Sequence, residues 1–295
     1  METKSFSYTV KEELCKVKFK EEEALAELCA MLLFGENIEN NSIILKTDNA
    51  EIAARIQAVF KKSLHEEIPI DIIKGKRNFS IIVDSQTAEK AGVFFSEDGE
   101  IAIDEDVYDN DSKKRAFLRG AFMISGTITN PIKGYCCELL TYNENMAYLS
   151  VEILENFGIN AHIVKRNNYY VSYLKDSNSV SDFLNVIGAH RQMMELMVTQ
   201  IEKDRNNRNN RESICRAANL DKTIATSAKQ YDAILRLQNS HIWDDIDETT
   251  KALAAIRLQN FDLSLSAIGE KMEPPMTKSS VNRRLKKLVE LAEEL

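Results

Sequence analysis

Five basic side chains and no acidic one fall within Thr277–Val289, TKSSVNRRLKKLV. Arg and Asn match the hydrogen-bonding edges of guanine and adenine in the major groove, and Lys suits phosphate, so this stretch has the composition of a DNA-reading surface. At 100° per residue, a helix that buries Val281, Leu285 and Leu288 turns Ser279, Ser280, Arg283, Lys286 and Lys287 outward, with Asn282 and Arg284 at the flanks. That geometry predicts Ser279, Ser280, Asn282 and Arg283 at base edges of double-stranded DNA, and Lys278, Arg284, Lys286 and Lys287 on its phosphates. The alternative is a terminal amphipathic helix with an ordinary solvated basic face. The preceding elements favour DNA. Ser264 is placed to cap a short helix carrying Leu265, Ile268 and Met272; Pro274 and Pro275 stop it, and Thr277 can cap the last helix. Two short helices around a tight break, the second basic, is a helix-turn-helix layout.

Other chemistries find little support. The five cysteines (15, 29, 136, 137 and 215) form no CxxC pair and have no metal-ligand spacing to the four histidines. They read as reduced thiols, and His190 as a capping or packing residue. No GxGxxG, P-loop, HExxH or GxSxG occurs in the chain, which removes the common nucleotide, metalloprotease and hydrolase readings. The carboxylates of FFSEDGEIAIDEDVYDNDSKK lack the alternation, the glycine and the distant Glu of a calcium loop, so the segment reads as a solvated linker. No apolar run approaches the roughly 18 residues of a membrane span, and the N-terminus lacks a signal-peptide core. The expectation is a soluble, non-enzymatic cytoplasmic protein with no cofactor, metal or membrane partner.

Charge is uneven along the 295 residues. Residues 1–201 carry 22 basic and 31 acidic side chains, a net −9; residues 202–212 carry a net +1, and residues 213–295 are neutral. The acidic two-thirds fits contact with another protein better than with a polyanion, unless bases such as Lys133, Lys165 and Arg166 cluster.

Residues 22–35 (EEALAELCAMLLFG) match residues 113–126 (KKRAFLRGAFMISG) in pattern, and NFSIIV matches YYVSYL at the same 91-residue offset. Each copy reads helix, strand, helix, strand, strand, with strands at Ser42–Lys46, Ile68–Ile73, Phe79–Val83, Cys136–Thr141, Ala161–Lys165 and Tyr169–Leu174. Tyr169, Val171 and Tyr173 then share one sheet face and Tyr170 the other, which is ordinary sheet packing. The fold class expected is α+β: a two-copy helix/sheet repeat followed by an all-α helix-turn-helix domain. The boundaries are 1–110 for the first copy with its acidic linker, 111–201 for the second, 202–222 for an Arg/Asn-rich connector and 223–295 for the helical domain. In the connector, Arg205, Arg208 and Arg211 are candidates to order on DNA or a partner. In the helical domain Ile224, Ala228, Tyr231 and Leu235 fall at helical spacing, a second helix is expected over Glu248–Gln259 with Leu253 and Ile256 inward, and Trp243 is expected to anchor the packing.

The segment Leu118–Ile128, LRGAFMISGTI, resembles the signature of LAGLIDADG homing endonucleases, whose single-chain members carry two such copies. That family holds its metal ions with one acidic residue per helix, directly before the closing glycine. Here those positions are Phe34 and Ser125, and Glu36 follows Gly35 with no acidic counterpart at Thr127. A hard divalent cation needs anionic oxygen ligands, so these former catalytic positions are degenerate. With VIGAH at Val186–His190, CRAANLDKTI at Cys215–Ile224 and the terminal block LSAIGEKMEPPMTKSSVNRRLKKL, the whole chain resembles the WhiA family, Gram-positive regulators of sporulation and cell division. The resemblance implies a monomeric, nucleoid-associated transcription factor that binds promoter DNA through its C-terminal domain, with the endonuclease-like part a non-catalytic scaffold open to another transcription regulator. A protein-interaction scaffold and a residual nuclease are the competing readings. The first copy departs from the second by having Glu27, Leu28 and Cys29 where the second has Leu118, Arg119 and Gly120, which weakens the expectation of close helix packing there.

Overall fold

The structure, a computed structural model, describes residues 4–35, 37–39, 42–67, 71–73, 78–95 and 101–295, and of 37–39, 71–73 and 78 the backbone alone. The chain divides into two compact units, Met1–Lys203 and Asp204–Leu295.

The first unit opens with α1 (Phe6–Leu14), then runs α2 (Glu21–Leu33), β1 (Asn37–Glu39), β2 (Ser42–Thr47), α3 (Ala50–Ser63), β3 (Asp71–Ile73) and β4 (Asn78–Asp84). A bridge of α4 (Ser85–Lys90), β5 (Val93–Phe95) and β6 (Ile101–Ile103) leads to the second copy. That copy comprises α5 (Asp111–Ser125), β7 (Thr127–Ile128), β8 (Cys137–Thr141), α6 (Glu144–Asn156), β9 (His162–Arg166) and β10 (Tyr169–Leu174), and α7 (Ser177–Ile187) follows it. The two four-stranded sheets share one antiparallel order, β1-β2-β4-β3 and β7-β8-β10-β9. Each copy therefore has one strand more than predicted, because strands of two or three residues offer no periodicity to read. The predicted strand Ile68–Ile73 is found as β3; residues 68–70 lie outside the described residues.

In β10, Val171 pairs with Leu140 and Val164. The alternation puts the Tyr170 hydroxyl on the helix side, donating to Glu144 at 2.8 Å, while Tyr169 and Tyr173 lie on the other face. The acidic linker needs a correction. Its carboxylates from Asp104 to Asp111 are exposed, yet β5 and β6 pair, and a 3-10 turn at Glu105–Tyr108 buries Val107 and sets the Tyr108 ring 6.1 Å from Phe117. Apolar residues interleaved with the acids anchor the segment to the core.

The two motif helices α2 and α5 pack directly, and their closest approach falls where the first copy departs from the second. A Cβ on Gly120 would stand 2.3 Å from the Glu27 carbonyl oxygen and 3.2 Å from Ala30 Cβ, so only glycine fits there. The departure is accommodated by charge. Glu27 is fully buried and accepts from Arg55 Nε at 2.7 Å, Arg55 Nη2 at 2.8 Å and Arg119 Nε at 2.8 Å. Arg55 also donates to the carbonyls of Cys15 and Val17 and lies 4.1 Å over the Phe19 ring. One carboxylate thus joins α2, α3, α5 and the chain entering α2. Buried ions are retained when paired and hydrogen-bonded in this way.

A 49-residue helix, α8 (His190–Gln238), begins in the first unit and ends in the second. Glu13 of α1 caps it by accepting from the backbone N–H groups of Arg191 at 2.8 Å and Gln192 at 3.0 Å. The stretch 202–222, read from composition as a connector that orders on a partner, is already helical, and every residue of 204–222 is exposed. Helix propagates cheaply once nucleated, and apolar turns at both ends of α8 supply the nuclei.

The second unit continues with a 3-10 turn (His241–Asp245), α9 (Glu248–Gln259), α10 (Leu265–Glu270) and α11 (Lys278–Glu293). Its core joins Ala233, Ile234 and Leu237 of α8 with Leu253, Ala254, Ile268, Met272, Val281, Leu285, Leu288 and Ala292, and Trp243 packs half-buried against it. The inward face of α8 differs from the stripe expected. Ile224 and Leu235 are exposed, whereas Ser227 and Gln230 are buried. For Ser227 the reason is Arg257: only 1% exposed, it donates through Nη1 to Ser227 Oγ at 3.1 Å and to the Leu263 carbonyl at 2.8 Å. The Ser227 hydroxyl is drawn inward to help satisfy a buried guanidinium.

Candidate nucleic-acid interface

Helix α11 begins where expected, with the Thr277 hydroxyl accepting from Ser280 N–H at 3.4 Å, and Ser264 caps α10 by accepting from Ala267 N–H at 3.3 Å. Between the helices the chain folds back on Gly269. Met276 N–H donates to the Gly269 carbonyl at 2.9 Å, and a Cβ on Gly269 would lie 2.2 Å from the Met276 oxygen. A lone glycine in a short helical pattern is the sequence signal for this contact, and it stands beside the more conspicuous Pro274 and Pro275.

The Val281, Leu285 and Leu288 stripe is buried, which turns the basic face outward. Lys278, Ser279, Asn282, Arg283, Lys286 and Lys287 are exposed, and Ser280 is half-buried. Ser279 and Thr277 share a hydrogen bond between hydroxyls at 3.1 Å. Lys286 lies 3.4 Å from Glu290, one turn on. Lys278, Arg283 and Lys287 have no ion-pair partner among the described residues.

Arg284 departs from its expected place on the DNA backbone. Its Nη1 donates to both oxygens of Asp247 at 2.9 Å and to Thr250 Oγ1 at 2.6 Å. Asp247 is also the N-cap of α9, so Arg284 fastens α11 to the start of α9. The Thr250 hydroxyl hydrogen bond, with Arg284 adding to it, holds the Asp247 carboxyl below the usual carboxylate range. A flanking position about 60° round the helix from Val281 and about 40° from Leu288 reaches a neighbouring helix more readily than solvent. The structure places Arg205, Arg208 and Arg211 exposed on α8 at three-residue spacing, so their charges follow one helical stretch.

The degenerate positions lie at the ends of the motif helices. Phe34 caps α2, is 2% exposed and packs edge-on to Phe117 with centroids 6.2 Å apart. Ser125 ends α5, and its hydroxyl donates to the Ala121 carbonyl at 3.2 Å. A phenyl ring in the core has no oxygen to offer a cation, and the serine hydroxyl is turned onto its own helix. Glu36 lies outside the described residues. Of the bases considered for the sheet, Lys165 donates to the Tyr170 hydroxyl at 2.9 Å, whereas Arg166, the next residue along the strand, pairs with Glu138 at 2.9 Å. Successive positions point to opposite faces, so Lys165 and Arg166 do not cluster. Among the described residues no helix is long and apolar enough to cross a membrane.

Residues 114–206 match the WhiA LAGLIDADG-like domain and residues 209–292 match the WhiA C-terminal HTH domain. A protein of Ruminiclostridium cellulolyticum named probable cell division protein WhiA is 34% identical over 309 aligned positions, covering 99% of this chain and 98% of the relative. A protein of the same name from Clostridium acetobutylicum is 33% identical, with the same two coverages. Among solved structures, full-length WhiA from Thermatoga maritima is similar over 99% of both chains, with a TM-score of 0.59 and 25% identity. The isolated N-terminal LAGLIDADG domain of a WhiA protein matches 65% of this chain and 97% of its own, with a TM-score of 0.53 and 26% identity.

Proposed function

The chain belongs to the WhiA family, and from that premise we propose that it is a sequence-specific DNA-binding transcriptional regulator of cell-division and sporulation genes. The carrying observation is the exposed face of α11, where Asn282 and Arg283 stand beside Lys278, Lys286 and Lys287 on a helix fixed by two caps and a glycine-tight turn. In this reading Ser279, Ser280, Asn282 and Arg283 meet base edges, Lys278, Lys286 and Lys287 hold phosphates, and Arg284 positions the helix through Asp247. Arg205, Arg208 and Arg211 add non-specific charge along α8.

The first unit serves as a non-enzymatic scaffold. Its support is the replacement of metal-holding carboxylates by Phe34 and Ser125, and its net −9 over residues 1–201 suits a protein partner. The protein then works as a monomer at the nucleoid in the cytoplasm. The test is selection by the full chain from a random duplex pool, at two salt concentrations and without magnesium. Enrichment of a defined motif is expected. Equal, purely salt-dependent retention of every duplex would overturn the reading and favour an interaction scaffold.

A further inference from the structure

We propose that the first unit carries a separate ligand site: an anion pocket at the head of α5 that takes the phosphate group of a small phosphorylated molecule. The cavity measures about 220 Å³ and is bordered by Glu23 of α2, Ser112, Arg115 and Arg119 of α5, Asn185 and the capping Gly188 of α7, and His190 at the start of α8. Drug-sized ligands occupy roughly 300–1,000 Å³. This cavity therefore suits a compact polyatomic anion whose remainder, if it has one, stays in solvent.

The charge comes from the interior. Glu27 serves both Arg55 and Arg119, so the buried trio of one carboxylate and two guanidinium groups carries a net charge of +1. Arg119 is the member that reaches the pocket. Its side chain is 6% exposed, and beyond Glu27 its Nη1 finds only the Ile187 carbonyl, at 3.4 Å. One turn earlier on the same face of α5, Arg115 stacks on Phe157 with 4.8 Å between its Cζ and the ring centroid. It has no hydrogen-bond or ion-pair partner among the described residues. A planar guanidinium held by stacking, with its N–H fork unoccupied, is prepared for bidentate contact with a phosphate.

The bordering Glu23 carboxylate is ionised and answers part of that charge: burial pushes its pKa up, but hydrogen bonds from Ser112 Oγ at 2.5 Å and Lys20 N–H at 3.1 Å, with Arg119 nearby, outweigh burial and hold the carboxyl below its usual range. The guanidinium of Arg115, unpartnered among the described residues, is what remains for an anion. The start of α8 does not supply the attraction, since Glu13 already caps two of its N–H groups. Gly188, at φ +93°, turns the chain so that the exposed His190 imidazole stands at the rim as a further donor.

The site is independent of duplex recognition by α11, and its test contains no DNA, so either proposal can fail without the other. Pyrophosphate, inorganic phosphate and acetate are titrated into the full chain at fixed ionic strength and followed by calorimetry. Expected is one-to-one binding of pyrophosphate with a Kd below about 1 mM, and no binding of acetate. Arg115→Ala should weaken pyrophosphate binding about 10-fold or more with an unchanged melting curve, and Arg115→Lys should retain part of it. Asn185→Asp, which sets a carboxylate on the exposed rim without touching the core, should abolish it. Acetate binding equal to pyrophosphate, or full affinity in both Arg115→Ala and Asn185→Asp, would overturn the proposal.

Discussion

Replacing Lys286 and Lys287 together by Ala tests the placement of α11 through a quantity that folding defects do not imitate. Each phosphate contact contributes about 0.9 to the slope of log binding constant against log salt, so removing two lowers the slope by about 1.8. Between 50 and 200 mM salt, a fourfold change, the advantage of the unmodified protein over the variant should shrink by about 12-fold. Lys286 is 3.4 Å from Glu290, but their side chains are 72% and 57% exposed. Such a surface pair is worth about 0–1 kcal/mol and gives way to a phosphate. Glu290→Gln should therefore strengthen binding to duplexes of every sequence, by no more than that amount. The assay is fluorescence anisotropy of the full chain on a labelled duplex across a salt series. An unchanged slope in the double variant, or a loss confined to one sequence, would refute the assignment of these lysines to the backbone.

Arg283→Ala should cost about 1–3 kcal/mol on the preferred duplex and flatten discrimination between single-base variants, seen in competition binding. Glu27→Gln leaves two buried guanidinium groups without a counter-charge and should cost about 3–5 kcal/mol in urea unfolding of the first unit; a loss below about 1 kcal/mol would mean the interior relaxes or admits water. Asp247 has a lowered pKa in the folded state, so its contribution to stability is present above the ordinary carboxylate value and disappears as pH falls through the depressed one. Asp247→Asn should accordingly reduce the acid-side drop in melting temperature of the second unit, while a curve parallel to the parent's would discount the Asp247–Thr250–Arg284 cluster.

Much of the architecture was legible because it rests on local rules. The 91-residue offset marked α2 and α5, and hydroxyl residues before apolar stripes marked the starts of α10 and α11. The candidate site was legible to the extent that it depends on one helix and one periodicity. Contacts set by distant partners were not. Nothing adjacent to Glu27 in the chain announces Arg55 or Arg119, which lie 28 and 92 residues away. Nothing near Arg284 in the chain distinguishes it from a phosphate ligand, because its partner Asp247 lies 37 residues earlier. The inward face of α8 is hidden for the same reason: hydrophobicity ranks Ser227 below Ile224, and the buried Arg257 reverses the order.

The single carboxylate between the motif helices also governs which halves can mate. Its counterpart in the other copy is Leu118, and the counterpart of Arg119 is Leu28, so the duplicated interface has lost its internal twofold symmetry. Two first copies brought face to face would leave each Glu27 without its cross-helix arginine. Two second copies would bury a pair of Arg119 side chains with no acid between them, and desolvating like charges in that way is strongly unfavourable. The halves are thus complementary in the manner of plug and socket, and shuffling between chains during synthesis or refolding is discouraged by electrostatics as well as by the covalent link.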